Sequence, residues 1–176
     1  MPKAKYFFIV IVFFLSTTLL FSQKKNVFEI ARKGTLREIQ SFYKKHPEAI
    51  NTFDDKKSSP LILACYRANV QVALFLAEKT KNINYNSGMG TAVIATVMSG
   101  NTTILGKLIE LKADLNQTDA NGKTALIYAS FFNKVAIVKQ LIDAGADKNI
   151  KDVDGRTALD YATFNKNKEL LVLLDE

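Results

Sequence analysis

A 33-residue period constrains this chain more than any other feature. Asp152, Gly155, Thr157, Ala158, Leu159 and Ala162 lie 33 positions after Asp119, Gly122, Thr124, Ala125, Leu126 and Ala129. Upstream, Thr91, Ile104, Leu105, Leu108, Ile109, Ala113, Asp114 and Asn116 precede their counterparts by the same interval. A period of this length marks supersecondary units that stack because none can bury its apolar face alone. The chemistry within one unit, residues 119–151, agrees. Asp119, Asn121 and Gly122 are turn formers: the side-chain oxygens stand in for backbone partners and glycine accepts positive φ. Thr124 is placed to cap a helix with its hydroxyl, and Leu126 and Ala129 share one face of that helix. Asn133 breaks it. Val135, Ile137, Val138, Leu141 and Ile142 then recur at helical spacing and predict a second helix, with Gly145 as its left-handed stop.

The string D-x-x-G-x-T-A-L-x-x-A followed by L-I-D-A-G-A-D-x-N resembles the ankyrin repeat. The resemblance implies an all-α solenoid of stacked helix-turn-helix units joined by short hairpin-like loops. It divides the chain into a signal peptide (1–22) and a repeat domain (23–176), with an N-terminal cap at 26–51, repeats at 52–84, 85–116 and 117–149, and a C-terminal cap at 150–176. Ser59 takes the cap position of the second unit, with Pro60 at the first helical residue, where its missing N–H is harmless. Two departures stand out. The glycine stop is replaced by Lys79, Thr80 and Lys81 in one unit and by Lys112 in the next. The hairpin NSGMG is shorter by one residue than its counterparts. The family's T-P-L-H, whose His bonds the Thr, is also missing, since Ile62, Ile94, Ile127 and Asp160 fill the His position. The expectation is therefore a stack without that polar clip, with a central unit looser than its neighbours.

The first 22 residues read MPKAKYFFIVIVFFLSTTLLFS. Two lysines, a short apolar run and the small Ser22 are the layout of a secretory signal peptide. The run is short for a membrane span of about 20 residues. Cleavage between Ser22 and Gln23 is the expected outcome and leaves no stable span. The alternative is an uncleaved anchor over 6–21, which Leu20, sitting where a small residue is preferred, keeps open. Localisation is accordingly periplasmic or secreted, with membrane anchoring as the alternative.

Composition excludes little but is informative at one end. The formal charge is +7. Between Gln23 and Lys57 there are 9 basic and 5 acidic residues, against 13 and 12 from Ser58 onward. No aromatic-interleaved basic groove accompanies that excess, so it reads as a solvated end cap, and nucleic acid is not an expected partner. The single cysteine, Cys65, forbids an intramolecular disulfide and reads as a small apolar side chain. With one His, His46, and no G-x-S-x-G, H-E-x-x-H, phosphate loop or C-x-x-C, neither a catalytic site nor a cofactor or zinc site is expected. The repeated Asp114 and Asp147, and Asp119 and Asp152, read as turn ties, one per unit.

What repetition leaves free points to binding. The resemblance implies recognition through the concave side, by hairpin tips and the ends of first helices. The residue seven past each cap is Tyr66, Met98, Phe131 or Phe164, with Phe132 alongside. In register these form a ladder, flanked by Lys56, Lys57, Lys123, Asp154 and Arg156 at the tips. Aromatic residues beside charges are the composition of an interface core and rim. The competing reading packs the ladder between adjacent first helices. The functional expectation is a non-catalytic, monomeric protein-binding module with an unidentified protein partner. An inhibitor or immunity protein against a toxin or effector, or a membrane-tethered form, is the alternative.

Overall fold

The computed structural model describes residues 26–175. The leader, its cleavage point at Ser22 and Gln23, the basic pair Lys24 and Lys25, and Glu176 lie outside these residues. Ten α-helices follow one another: α1 (Val27–Lys33), α2 (Leu36–Lys45), α3 (Pro60–Tyr66), α4 (Val70–Lys79), α5 (Ala92–Ser99), α6 (Thr102–Glu110), α7 (Ala125–Phe131), α8 (Val135–Asp143), α9 (Ala158–Phe164) and α10 (Lys168–Asp175). A single 3-10 turn, Pro47–Asn51, follows α2. Odd-numbered helices stack on one another and even-numbered helices form a second row. Among the described residues there is no strand, and no helix is long and apolar enough to cross a membrane.

Local chemistry sets the helix boundaries. Ser59, Thr91, Thr124 and Thr157 each accept the N–H of the residue three further on, at 3.2–3.3 Å, so the first turn of every odd helix from α3 onward is satisfied. Thr35 and Glu38 complete a capping box at α2. The stops are less uniform. Gly145 is left-handed as expected and Gly100 is left-handed too, but the same conformation is forced on Ala68 (φ 52), Asn133 (φ 54) and Lys166 (φ 53) after first helices and on Lys112 (φ 59) after α6. After α4 the chain leaves in an extended conformation at Thr80 and needs no such residue. Gly122 is required twice over: its φ is +72, and a Cβ there would fall 3.0–3.2 Å from the backbone of Asp152 and Val153 in the next hairpin.

The core runs the length of the stack. Leu76, Leu105, Leu108, Leu126, Leu141 and Leu170 are fully buried, and Val27, Ile30, Ala31 and Ile39 close the N-terminal end. Ala64, Thr96, Ala129 and Ala162, five residues after their caps, have no exposure at all. Small side chains there let the first helices pack against one another, and these share more contact than the second helices do.

Side chains tie unit to unit. Asn51, Asn84 and Asn116 accept the backbone N–H of Lys81, Asp114 and Asp147, at 2.9, 2.8 and 2.9 Å. Later hairpins join through backbone bonds, Ala120 N–H to Gly88 O at 2.9 Å and Val153 N–H to Asn121 O at 3.0 Å. The first two hairpins meet differently. Phe53 stacks on Tyr85 with centroids 4.2 Å apart, and the Tyr85 hydroxyl donates to Lys57 O at 2.8 Å.

The aspartates do tie turns. Asp119 Oδ1 accepts the N–H groups of Asn121 and Lys123, both at 2.9 Å. Asp152 Oδ1 does the same for Asp154 and Arg156, both at 3.0 Å. Their second oxygens revise the expectation of a clipless stack. Tyr128 donates to Asp119 Oδ2 at 2.7 Å and Tyr161 to Asp152 Oδ2 at 2.6 Å. A tyrosine four residues past the cap thus replaces the missing histidine, bonding the hairpin from the helix side. It does so only in the last two units, because the equivalent positions upstream are Leu63 and Ala95.

Candidate binding groove

A concave groove of about 920 Å³ lies between the first helices and the hairpins of the N-terminal half. Its floor is Ile62 and Leu63 of α3 with Ile94 and Ala95 of α5. Tyr66 and Met98 rise from the ends of those helices, and Phe53 and Met89 from the hairpins opposite. Their positions follow from local structure. The residue seven past the cap is the last of α3, α7 and α9 and the last but one of α5, so it stands at the end of the helix rather than inside the stack. Tyr66 is 55% exposed, Phe53 51% and Met89 76%. Tyr128, bonded to Asp119, ends the groove on the C-terminal side.

Charge is arranged along the rim. Arg32 of α1 reaches Asp54 at 2.8 Å, an ion pair between the cap and the first hairpin. Asp54 also accepts the N–H groups of Lys56 and Ser58, at 3.0 and 2.9 Å, so it performs the turn-tying task of Asp119 and Asp152. Among the described residues Asp55, Lys56 and Arg67 line the groove without an ion-pair partner. No three His, Cys, Asp or Glu side chains of the described residues gather as metal ligands would.

The predicted ladder divides in two. Tyr66 and Met98 share the groove, and Lys56 stands on its rim with Lys57 exposed beside it. Phe131 and Phe132 lie beyond it, half-exposed, with centroids 4.9 Å apart. Phe131 also meets the Tyr161 ring edge-on at 5.5 Å, across the joint between α7 and α9. That contact is the packing alternative realised at one rung. Phe164, 81% exposed, stands at the far end of the row. Asp154 and Arg156 pair at 3.6 Å on the last hairpin, both well exposed.

Lys123 differs from a free rim charge. Its ammonium is bonded to Asp152 and donates to the Tyr161 hydroxyl at 2.7 Å, with the side chain mostly covered. Burial opposes ionisation of Asp152, yet hydrogen bonds from Lys123, Tyr161 and the Arg156 N–H hold its carboxyl well below the usual range. Burial likewise opposes the charge on Lys123, and the bonds to Asp152 and Tyr161 outweigh it. Tyr128 is pushed up to about 12 by burial and by donating to Asp119. These groups form a strut between units, with each proton fixed in place. Cys65 is equally inert: it is buried between α3 and α5, and burial raises its thiol to about 12, leaving no thiolate to react.

Sequence reasoning missed Phe28, Phe53, Met89, Arg67 and Tyr128 as groove residues. Arg67 directly follows Tyr66, and Met89 sits in the short hairpin, so both lay beside residues already singled out. Phe28 and Phe53 belong to the cap and the first hairpin, where the period is weakest and gave no register.

A family model described as ankyrin repeats, in three copies, matches residues 92–176. No curated protein matches the chain. The matched stretch begins at the first residue of α5, so the cap and the α3–α4 pair extend the stack upstream of it.

Proposed function

Because this chain belongs to the ankyrin-repeat family, whose domains act in protein–protein interaction, we propose that it is an exported, non-catalytic module that grips one protein partner along its inner face. The observation that carries this reading is the groove. Phe53, Tyr66, Met89 and Met98 expose apolar surface on one concave side, beside Lys56 and Arg67. A concentrated apolar patch with a polar rim is the mark of an interaction site on a water-soluble domain. The stack supports it: α3 and α5 fix the positions of Tyr66 and Met98 before any partner arrives, so little of their ordering entropy remains to be lost on binding.

Export rests on the sequence of residues 1–22, where two lysines, an apolar run and Ser22 form a signal-peptide pattern. The partner then shares a periplasmic or extracellular compartment with the mature chain. The test is photo-crosslinking in the producing cell. A photoreactive residue at Tyr66 or Met98 is expected to capture the same protein, while one at Lys139, exposed on the outer row, captures none. The mass of the captured chain reports whether the leader was removed. Equal capture from the inner and outer positions, or none from the inner ones, would reject the reading.

A further inference from the structure

The position four residues after each helix cap is Leu63, Ala95, Tyr128 and Tyr161 in successive units. In the last two units the tyrosine fills the corner between helix and hairpin, and its hydroxyl bonds the tip aspartate. In the unit of α5 both halves of that arrangement are gone. Ala95 has no ring, and the hairpin carries Asn86 where an aspartate would stand; its Oδ1 still ties the turn at the Gly88 N–H, 2.9 Å, but its amide donates to Thr118 O at 2.7 Å in the next hairpin rather than meeting a tyrosine. The corner therefore lacks a ring of its own, and Ala95, 6% exposed, and Leu63 line the groove floor.

The last two units show what such a corner holds. In each of them it encloses one aromatic ring with a polar group at its tip. Around Ala95 the walls are Met89, Met98 and the adjacent Tyr128. Thioether side chains adapt their shape to a ring and make favourable sulfur–aromatic contacts. The rim adds a charge preference. Arg32 and Asp54 neutralise each other at 2.8 Å. Lys56 and Arg67 remain unpaired against one unpaired carboxylate, Asp55, which leaves the lining cationic.

We propose that the Ala95 corner is the specificity-determining socket of the groove, taking one bulky apolar side chain, aromatic or leucine, from a partner segment whose neighbouring acidic residues meet Arg67 and Lys56. The proposal rests on the binding-module reading and names the chemistry of the partner. The Tyr128 ring in the next unit serves as the internal template for the guest.

The test uses a displayed library of random short peptides selected on the purified protein. Selected peptides are expected to share a bulky apolar residue next to Asp or Glu. Ala95→Tyr, which fills the corner with the chain's own ring, should weaken them by about tenfold or more without lowering the melting temperature. Ala95→Ser, which leaves the corner open, should bind as the parent does and guards against a folding artefact. Arg67→Glu with Lys56→Glu should reverse the charge preference. Selection of basic peptides, or peptides that bind Ala95→Tyr undiminished, overturns the socket, as does an empty selection. Unreduced photo-capture of the cellular partner at Met98 in an Ala95→Tyr background overturns the socket yet leaves the binding module standing. Absence of capture at every inner position removes the module itself.

Discussion

Asp152 shows how much one side chain carries in this stack. Its two oxygens tie a turn, receive a tyrosine from α9 and hold Lys123 of the preceding hairpin, while the side chain is completely buried. Asp152→Asn keeps a turn-tying oxygen but loses the ion pair. It is expected to lower the free energy of unfolding by about 2 kcal/mol at neutral pH, the scale of a hydrogen bond to a charged group. The carboxyl titrates below its ordinary 3.8 in the folded state, because only the ionised form is bonded this way. The stability it provides is thus fully present above pH 3.8 and is lost as pH falls toward the folded value. Denaturant titrations from neutral to acidic pH should show the parent losing part of its advantage over Asp152→Asn in that acid range. A constant gap at all pH values would mean that the carboxylate is not the titrating group. None of this was legible beforehand. Asp152 announced itself as a turn residue, but a tyrosine four residues past a cap reads as an ordinary half-buried position, and the lysine read as a rim charge. The clip depends on a meeting of helix and hairpin that no local pattern encodes.

The helices themselves were legible, because caps, apolar spacing and turn residues act within a few positions of one another. Their ends were less so. After α3, α7 and α9 the chain turns through left-handed residues that are not glycine, and the same holds after α6. An L-residue with a Cβ in that region is strained by roughly 1–2 kcal/mol, asparagine being the exception that tolerates it. Glycine escapes the strain and loses some of the gain through its freer unfolded state. Ala68→Gly and Lys112→Gly are each expected to raise stability by about 0.5–1 kcal/mol. Asn133→Gly should change it less. Chemical denaturation of the three variants ranks them, and a loss of stability in Ala68→Gly would show that the strain is absent. The spacing also explains the exposed ladder. The same offset from each cap places Tyr66, Met98, Phe131 and Phe164 at equivalent points. What surrounds each of them differs from joint to joint, which is why two belong to the groove and one leans on Tyr161.

Across the whole molecule, every unit contacts its neighbours alone, so stability is a sum of units and joints. The joints are unequal. Among the stacked first helices, α5 and α7 share the least contact and α3 and α5 the most. Leu126→Ala, at a fully buried site in α7, should cost about 3 kcal/mol. Native-state hydrogen exchange is then expected to quicken in α7 to α10 far more than in α1 to α4. Uniform acceleration along the chain would mean that the stack opens as a single unit. The concave side, Tyr66 and Met98 were legible from the repeat register, but the corner at Ala95 escaped sequence reasoning for a related reason. It is made by what α5 lacks, and an absence becomes visible only when neighbouring units are compared in register. The stacked rings of Phe53 and Tyr85 carry one consequence more. Backbone bonds between hairpins are directional and resist sliding, whereas ring faces can shear past each other at little loss of contact. The first hairpin is instead fastened to the second through one residue, Tyr85, by its ring and its hydroxyl, so a single substitution there would release the wall of the clamp that carries Phe53 and Lys56.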